Sequence, residues 1–201
     1  CADSATRVAL LHGKLIHFHA IERGLGRALF VNNALINMYS RCSDLEDATM
    51  VFESLPKKDL VTWSTMIGAC VLYGCGSQAF NLFQRMQREG HFPDQITCVN
   101  ALKACCGVSA LEDGKVIHSL AVENGFEKNV VMGSTLMDMY AKCADLEDAK
   151  TVFQALSKRD MIAWGAMIAG YTFNGKYWQA IQQYKEMVQE GLKPNEIILL
   201  S

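Results

Sequence analysis

Residues 29–59, LFVNNALINMYSRCSDLEDATMVFESLPKKD, decide the fold, because 130–160, VVMGSTLMDMYAKCADLEDAKTVFQALSKRD, restate them 101 positions later. The match runs without gaps over 13–93. Gly13, Lys14, Ile16 and His17 return as Gly114, Lys115, Ile117 and His118, and Asp44-Leu45-Glu46-Asp47-Ala48 returns intact at 145–149. Trp63, Met66, Ile67, Gly74, Ala79, Met86, Glu89, Gly90 and Pro93 each have an identical partner at the same offset. A chain that repeats itself in this way stacks like units, each burying its apolar face on the next. The surface of such a stack is long and regular, so function is sought along it and not in one deep pocket.

Within the repeat, apolar residues at 35, 36, 38 and 39 and then at 45, 48, 51, 52 and 55 follow helical spacing. Asp44 is suited to cap a helix, with Glu46 and Asp47 in its first turn complementing the helix dipole. The predicted helix pairs are 29–41 with 44–55, 60–73 with 77–89, and 95–106 with 111–124. The cycle then restarts as 130–142 with 145–156 and 161–173 with 176–190. Gly74-Cys75-Gly76, Gly90, Pro93, Gly107 and Gly125 fall at the breaks. Residues 10–23 align with 111–124 and form the second helix of a truncated leading pair. The expected fold is all-α, a right-handed α-solenoid of helix-turn-helix repeats. Its units are 1–28 (partial), 29–59, 60–94, 95–129, 130–160 and 161–195, with 196–201 opening another. The chain therefore reads as a piece of a longer array.

Composition removes several classes of function. No 18-residue apolar run exists, so no membrane span is expected. The net charge of −2 argues against nucleic-acid binding by bulk electrostatics and leaves that task to local contacts. The eight cysteines form no C-x-x-C pair, and Cys42 and Cys143 are repeat equivalents on helices, which fits buried thiols better than a disulfide framework. His17, His19 and His118 have no acid or thiol companions at ligand spacing, so no metal is expected. The chain has no G-x-S-x-G nucleophile elbow, no Gly-rich phosphate loop and no deaminase-type H-x-E with C-x-x-C. It is expected to be no enzyme, to need no cofactor and to act on no small-molecule substrate.

The unit lengths of 31, 35 and 35 residues, with their motifs, resemble the pentatricopeptide repeat family, in particular the plant subclass that cycles through P, L and S motifs. NALINMYSRCSDLEDATMVFESLPKKD and STLMDMYAKCADLEDAKTVFQALSKRD look like S motifs. DLVTWSTMIGACVLYGCGSQAFNLFQRMQREGHFPD and DMIAWGAMIAGYTFNGKYWQAIQQYKEMVQEGLKPN look like P motifs. ITCVNALKACCGVSALEDGKVIHSLAVENGF resembles an L motif, and HGKLIHFHAIERG the back half of another. The Trp/Leu-Gly/Tyr pattern of tetratricopeptide repeats is absent.

The resemblance implies binding of single-stranded RNA, one base per repeat. The family reads each base with the fifth residue of a unit's first helix and the last residue of the unit. A carboxylate at the last position accepts from guanine N1–H or uracil N3–H, whereas an amide there can also donate. Transferred to this chain, Asn33 with Asp59 implies U, Ser64 with Asp94 implies G, and Ser134 with Asp160 implies G. Val99 with Asn129 is a weak reader or a spacer, since valine has no hydrogen-bonding group. Gly165 with Asn195 departs from the usual pair and leans to A. The leading fragment supplies only Ala28, at a last position. The implied core is 5′-U-G-N-G-(A)-3′.

The resemblance further implies that Phe30, Val61, Ile96, Val131 and Ile162, second in their units, sandwich neighbouring bases, with Phe30 able to stack. Arg41 and Lys142 lie eleven residues after Phe30 and Val131, close to three whole helical turns, and are expected to contact phosphate. The aspartates at unit ends also suit helix caps, and the tryptophans suit inter-helix packing. By the same resemblance, the whole protein acts in a chloroplast or mitochondrion in RNA processing such as C-to-U editing. The competing reading is a protein-interaction scaffold that docks small organellar editing-factor proteins through L-type repeats such as 95–129.

Overall fold

The computed structural model describes residues 4–108, 110–194 and 198. Among these residues the chain is helical throughout apart from a short 3-10 turn at Phe126–Lys128 and the connecting loops. The helices are α1 (Ser4–Glu22), α2 (Leu29–Arg41), α3 (Leu45–Ser54), α4 (Leu60–Leu72), α5 (Gly76–Arg88) and α6 (Gln95–Val108). They continue as α7 (Leu111–Glu123), α8 (Val130–Lys142), α9 (Leu146–Ala155), α10 (Met161–Phe173) and α11 (Tyr177–Gln189). The chain divides into two compact units, 1–104 and 105–201.

In the first unit, α2 packs on α3, α4 on α5, and the two leading helices α2 and α4 pack side by side. Asp44 caps α3 by accepting from the Asp47 amide at 3.0 Å, as its place before an apolar helical pattern predicts. Lys14 of α1 reaches both Asp44 (3.3 Å) and Asp47 (2.8 Å), tying the leading helix to that cap. Gly13 lets α1 come close to α2, since a Cβ at this position would collide with the Met38 side chain. The core is formed by Ile36, Phe52, Trp63, Met66, Ile67, Phe83 and Met86, all essentially inaccessible. Phe52 meets the Trp63 indole edge to face at 5.0 Å, and Lys58 lies 4.9 Å from the Phe52 ring centre.

The second unit reproduces these devices. α8 packs on α9 and α10, and α10 on α11. Asp145 caps α9 through the Asp148 amide, and Lys115 pairs with Asp145 (3.3 Å) and Asp148 (3.2 Å). A Cβ at Gly114 would strike Met139, Phe153 meets Trp164 edge to face at 4.7 Å, and Arg159 lies 5.2 Å from the Phe153 ring. The repeat is therefore one of contacts as well as of letters.

Two differences from expectation stand out. The leading helix was predicted over 10–23 but runs from Ser4 to Glu22, because residues 4–12 contain no Gly or Pro to stop it. Gly107 was predicted at a turn but lies within α6, which continues to Val108.

Two histidines, one in each unit, serve packing. His17 Nδ1 shares a hydrogen bond with the Tyr39 hydroxyl at 2.9 Å, and His118 Nδ1 does the same with Tyr140 at 2.8 Å. Burial pulls the His118 pKa below its ordinary 6.5, against the smaller opposing effects of Asp148 and Glu127. The folded state then binds a proton less readily than the unfolded chain, so stability rises with pH. This contribution is complete above 6.5 and is lost as pH falls through the lower, folded value. Thermal melts between about pH 5 and pH 7.5 should show His118→Gln losing less stability on acidification than the parent. Equal losses would contradict the assignment.

Candidate nucleic-acid interface

The leading helices of the first unit line an open groove of about 630 Å³. Phe30, Asn33, Asn37, Ser40 and Arg41 come from α2, Val61, Ser64, Thr65 and Leu72 from α4, and Ile96 and Asn100 from α6. Their common face follows from helical periodicity: residues 30, 33, 37 and 41 are spaced by three, four and four. Three side chains stand out because they should be inside and are not. Phe30 is 85% exposed, Val61 58% and Ile96 65%, and each sits second in its helix. One uncovered apolar residue per helix, repeated along a groove, offers flat or slot-like contact to a ligand with repeating apolar faces.

Between these apolar posts lie the polar groups. Asn33 and Ser64 line the groove as neighbours on adjacent helices. The Asn33 Oδ1 is buried without a hydrogen-bond partner. An orphaned acceptor beside an open groove is the kind of group a ligand satisfies. Arg41 Nε donates to Asn37 Oδ1 at 3.2 Å, leaving the guanidinium with no carboxylate on it in that bond.

The aspartates Asp59 and Asp94 do not line the groove itself. They cap α4 and α6. Asp59 Oδ1 accepts from the Thr62 amide at 2.8 Å and the Thr62 hydroxyl at 2.7 Å, and Asp94 Oδ1 accepts from Thr97 in the same two ways at 2.8 and 2.6 Å. Burial pushes the Asp59 carboxyl up, but the Thr62 bonds and a further one from the Asn33 side chain outweigh it and hold the group below its usual pKa. Asn33 and Asp59, the fifth and last residues of one predicted unit, are therefore close enough for the Asn33 side chain to help stabilise the carboxylate. Both donors from each threonine fall on Oδ1, so Oδ2 of each aspartate keeps accepting capacity.

Val99 departs from the pattern. It is only 8% exposed and is absent from the groove lining, because an apolar side chain at that position is better buried than presented. Asn100 is present instead, its Nδ2 3.5 Å from the Ser64 carbonyl. Sequence reasoning missed Asn100, and its only signal was an amide next to the apolar Val99.

In the second unit Val131 (53%) and Ile162 (57%) are again exposed at the second place of α8 and α10. Ser134 Oγ donates to the Val131 carbonyl at 3.1 Å, and Gly165 is partly exposed with room for a Cβ 3.5 Å from Ile198. Asn129 caps α8 through the Val131 amide at 2.9 Å, and Asp160 caps α10 through the Ile162 and Ala163 amides at 3.0 Å each. Lys142 is paired with Asp138 at 2.8 Å. Asn195 lies outside the described residues. Among the described residues no three His, Cys, Asp or Glu side chains cluster to hold a metal, and no helix is long and apolar enough to cross a membrane. Burial pushes the thiols of Cys70, Cys98, Cys105 and Cys106 up to about 12.

Comparison with known proteins follows the same lines. The PPR repeat family profile matches residues 58–107, and the PPR repeat profile matches 33–60, 134–161 and 162–192, together more than half of the chain. The chain belongs to the pentatricopeptide repeat family. The pentatricopeptide repeat-containing protein At4g18520, chloroplastic, of Arabidopsis thaliana is 38% identical over 93% of this chain and 30% of its own length. The mitochondrial protein At3g09040 of the same plant is 40% identical over 92% of this chain and 18% of its own. The chain thus spans less than a third of these relatives. Among solved structures, the pentatricopeptide repeat protein PPR10 in complex with an 18-nt psaJ RNA element superposes with a TM-score of 0.70 at 21% identity, over 93% of this chain and 29% of that one. The fold shared with it is the α-solenoid of helical hairpins.

Proposed function

We propose that the chain is a single-stranded RNA-recognition module that reads one base per helical hairpin and performs no chemistry itself. The observation that carries this reading is the groove in which Phe30, Val61 and Ile96 alternate with Asn33 and Ser64. Apolar posts at helix spacing suit bases in a row, and the polar groups between them suit their Watson–Crick edges. That PPR10 was crystallised with an RNA element supports the same use of the fold.

The reading units are 29–59, 60–94, 95–129, 130–160 and 161–195, of the P, L and S types described above. Asn33 with Asp59 takes U, Ser64 with Asp94 takes G, Ser134 with Asp160 takes G, and Gly165 with Asn195 leans to A. Val99, buried, leaves the third base unread. Arg41 contacts phosphate, and Lys142 is the weaker second such contact. Membership of a chloroplastic or mitochondrial protein is supported by relatives named for those compartments, and C-to-U editing is the process that the P-L-S pattern favours. Titration with 5′-UGUGA-3′ oligomers altered one base at a time tests the reading. Affinity should fall by about tenfold when C replaces either G and stay level when the middle base changes. Equal binding of C at the second or fourth base would refute it.

A further inference from the structure

We infer that Asp138 restrains RNA binding by holding Lys142 away from phosphate, a restraint that its repeat counterpart Asn37 does not impose on Arg41. The inference rests on the RNA reading and names a control within that site. Val131, Ser134, Asp138 and Lys142 fall on one stripe of α8, spaced by three, four and four like the groove-lining Phe30, Asn33, Asn37 and Arg41 of α2. The two stripes differ at all four positions, and the difference that changes the charge is Asn37 against Asp138. On α2 the basic side chain meets a neutral amide, with Arg41 Nε donating to Asn37 Oδ1 at 3.2 Å. On α8 it meets a carboxylate, with Lys142 Nζ 2.8 Å from Asp138 Oδ2.

Asp138 is itself held in place. The Cys106 thiol donates to the same Oδ2 at 3.7 Å, so the carboxylate is fixed from α6 as well as from its own helix. Both ion-pair partners remain about half exposed, 48% and 40%, so the pair sits at the surface and not in the core. A phosphate approaching Lys142 must therefore replace an existing anion and also meet the charge of Asp138. The gain from that exchange is small, whereas at Arg41 the phosphate supplies the charge that Asn37 lacks. A surface pair of this kind is weak enough for RNA to break, which makes it a setting of affinity and not a block.

Binding of 5′-UGUGA-3′ by the full 201-residue chain, measured over a series of salt concentrations, tests this. Asp138→Asn should tighten binding about two- to fivefold at low salt and steepen the slope of log K against log salt by up to about 0.7, the value for one further contact to a single strand. Asn37→Asp should weaken binding and flatten the slope. Lys142→Ala should cancel the gain of Asp138→Asn. The carboxylate control Glu123→Gln should leave both quantities in place. If the gain survives Lys142→Ala, or Glu123→Gln matches it, the effect is one of general charge and the inference is overturned. If the parent binds and discriminates bases but Asp138→Asn changes nothing, the restraint is refuted and the RNA reading stands. If the folded parent binds no RNA even at low salt, both fall together.

Discussion

Trp63→Ala is expected to destabilise the first unit by about 3–5 kcal/mol, the usual cost of emptying a large aromatic site in a packed interior. The indole is fully inaccessible, stands edge to face on Phe52 and lies 5.5 Å from the Arg85 guanidinium, so neighbours on two other helices lose contact at once. Its Nε1 is buried without a hydrogen-bond partner. Trp63→Phe should therefore cost far less than alanine, about 1–2 kcal/mol, because it removes volume but no hydrogen bond. Trp164 is likewise buried with an orphaned Nε1 and an edge contact to Phe153, although Glu186 stands where Trp63 has Arg85, and Trp164→Ala should do comparable damage to the second unit. Urea denaturation of the three variants checks this. A phenylalanine variant as unstable as the alanine variant would mean that the indole nitrogen matters in a way the packing does not show.

The larger functional effect is expected from Asp94→Asn combined with Asp160→Asn. Both residues cap helices, and asparagine is as good a cap as aspartate, so folding is conserved while the acceptor character changes. A carboxylate takes the N1–H of guanine and repels the bare N1 of adenine, whereas an amide can present N–H to that atom. Each altered base step is worth about 1–3 kcal/mol, nearly additive for separated positions, so the pair should shift the preference between G and A by at least about thirtyfold.

Much of this was legible in the chain because the repeat supplies its own alignment. Asp44 before Leu45-Glu46-Asp47 and Gly74 after an apolar run marked helix ends to within a residue or so of where they lie. Helical spacing put 30 and 41 on one face and the family resemblance added 33, and these three residues line one groove. Less was legible where tertiary contact decides. Ser43 and Ala144 adopt left-handed backbone at φ 63° and 61°, a role that residue type hides and that Gly74 and Gly175 advertise in the other hairpins. Val99 took its base-reading position from the family resemblance, as a weak reader or spacer, and its burial follows from the apolar side chain and not from that position. Lys142 was expected to contact phosphate, and Asp138 four residues before it in a helix, the spacing at which such a pair closes, occupies it instead in the free protein.

The most direct test of base reading by these hairpins is competition between 5′-UGUGA-3′ and 5′-UAUAA-3′ for the parent and for the double asparagine variant. The parent should prefer the first oligomer, and the variant should prefer the second with total affinity little changed. An unaltered preference for the guanine oligomer, in a variant that melts like the parent, would contradict recognition through Asp94 and Asp160.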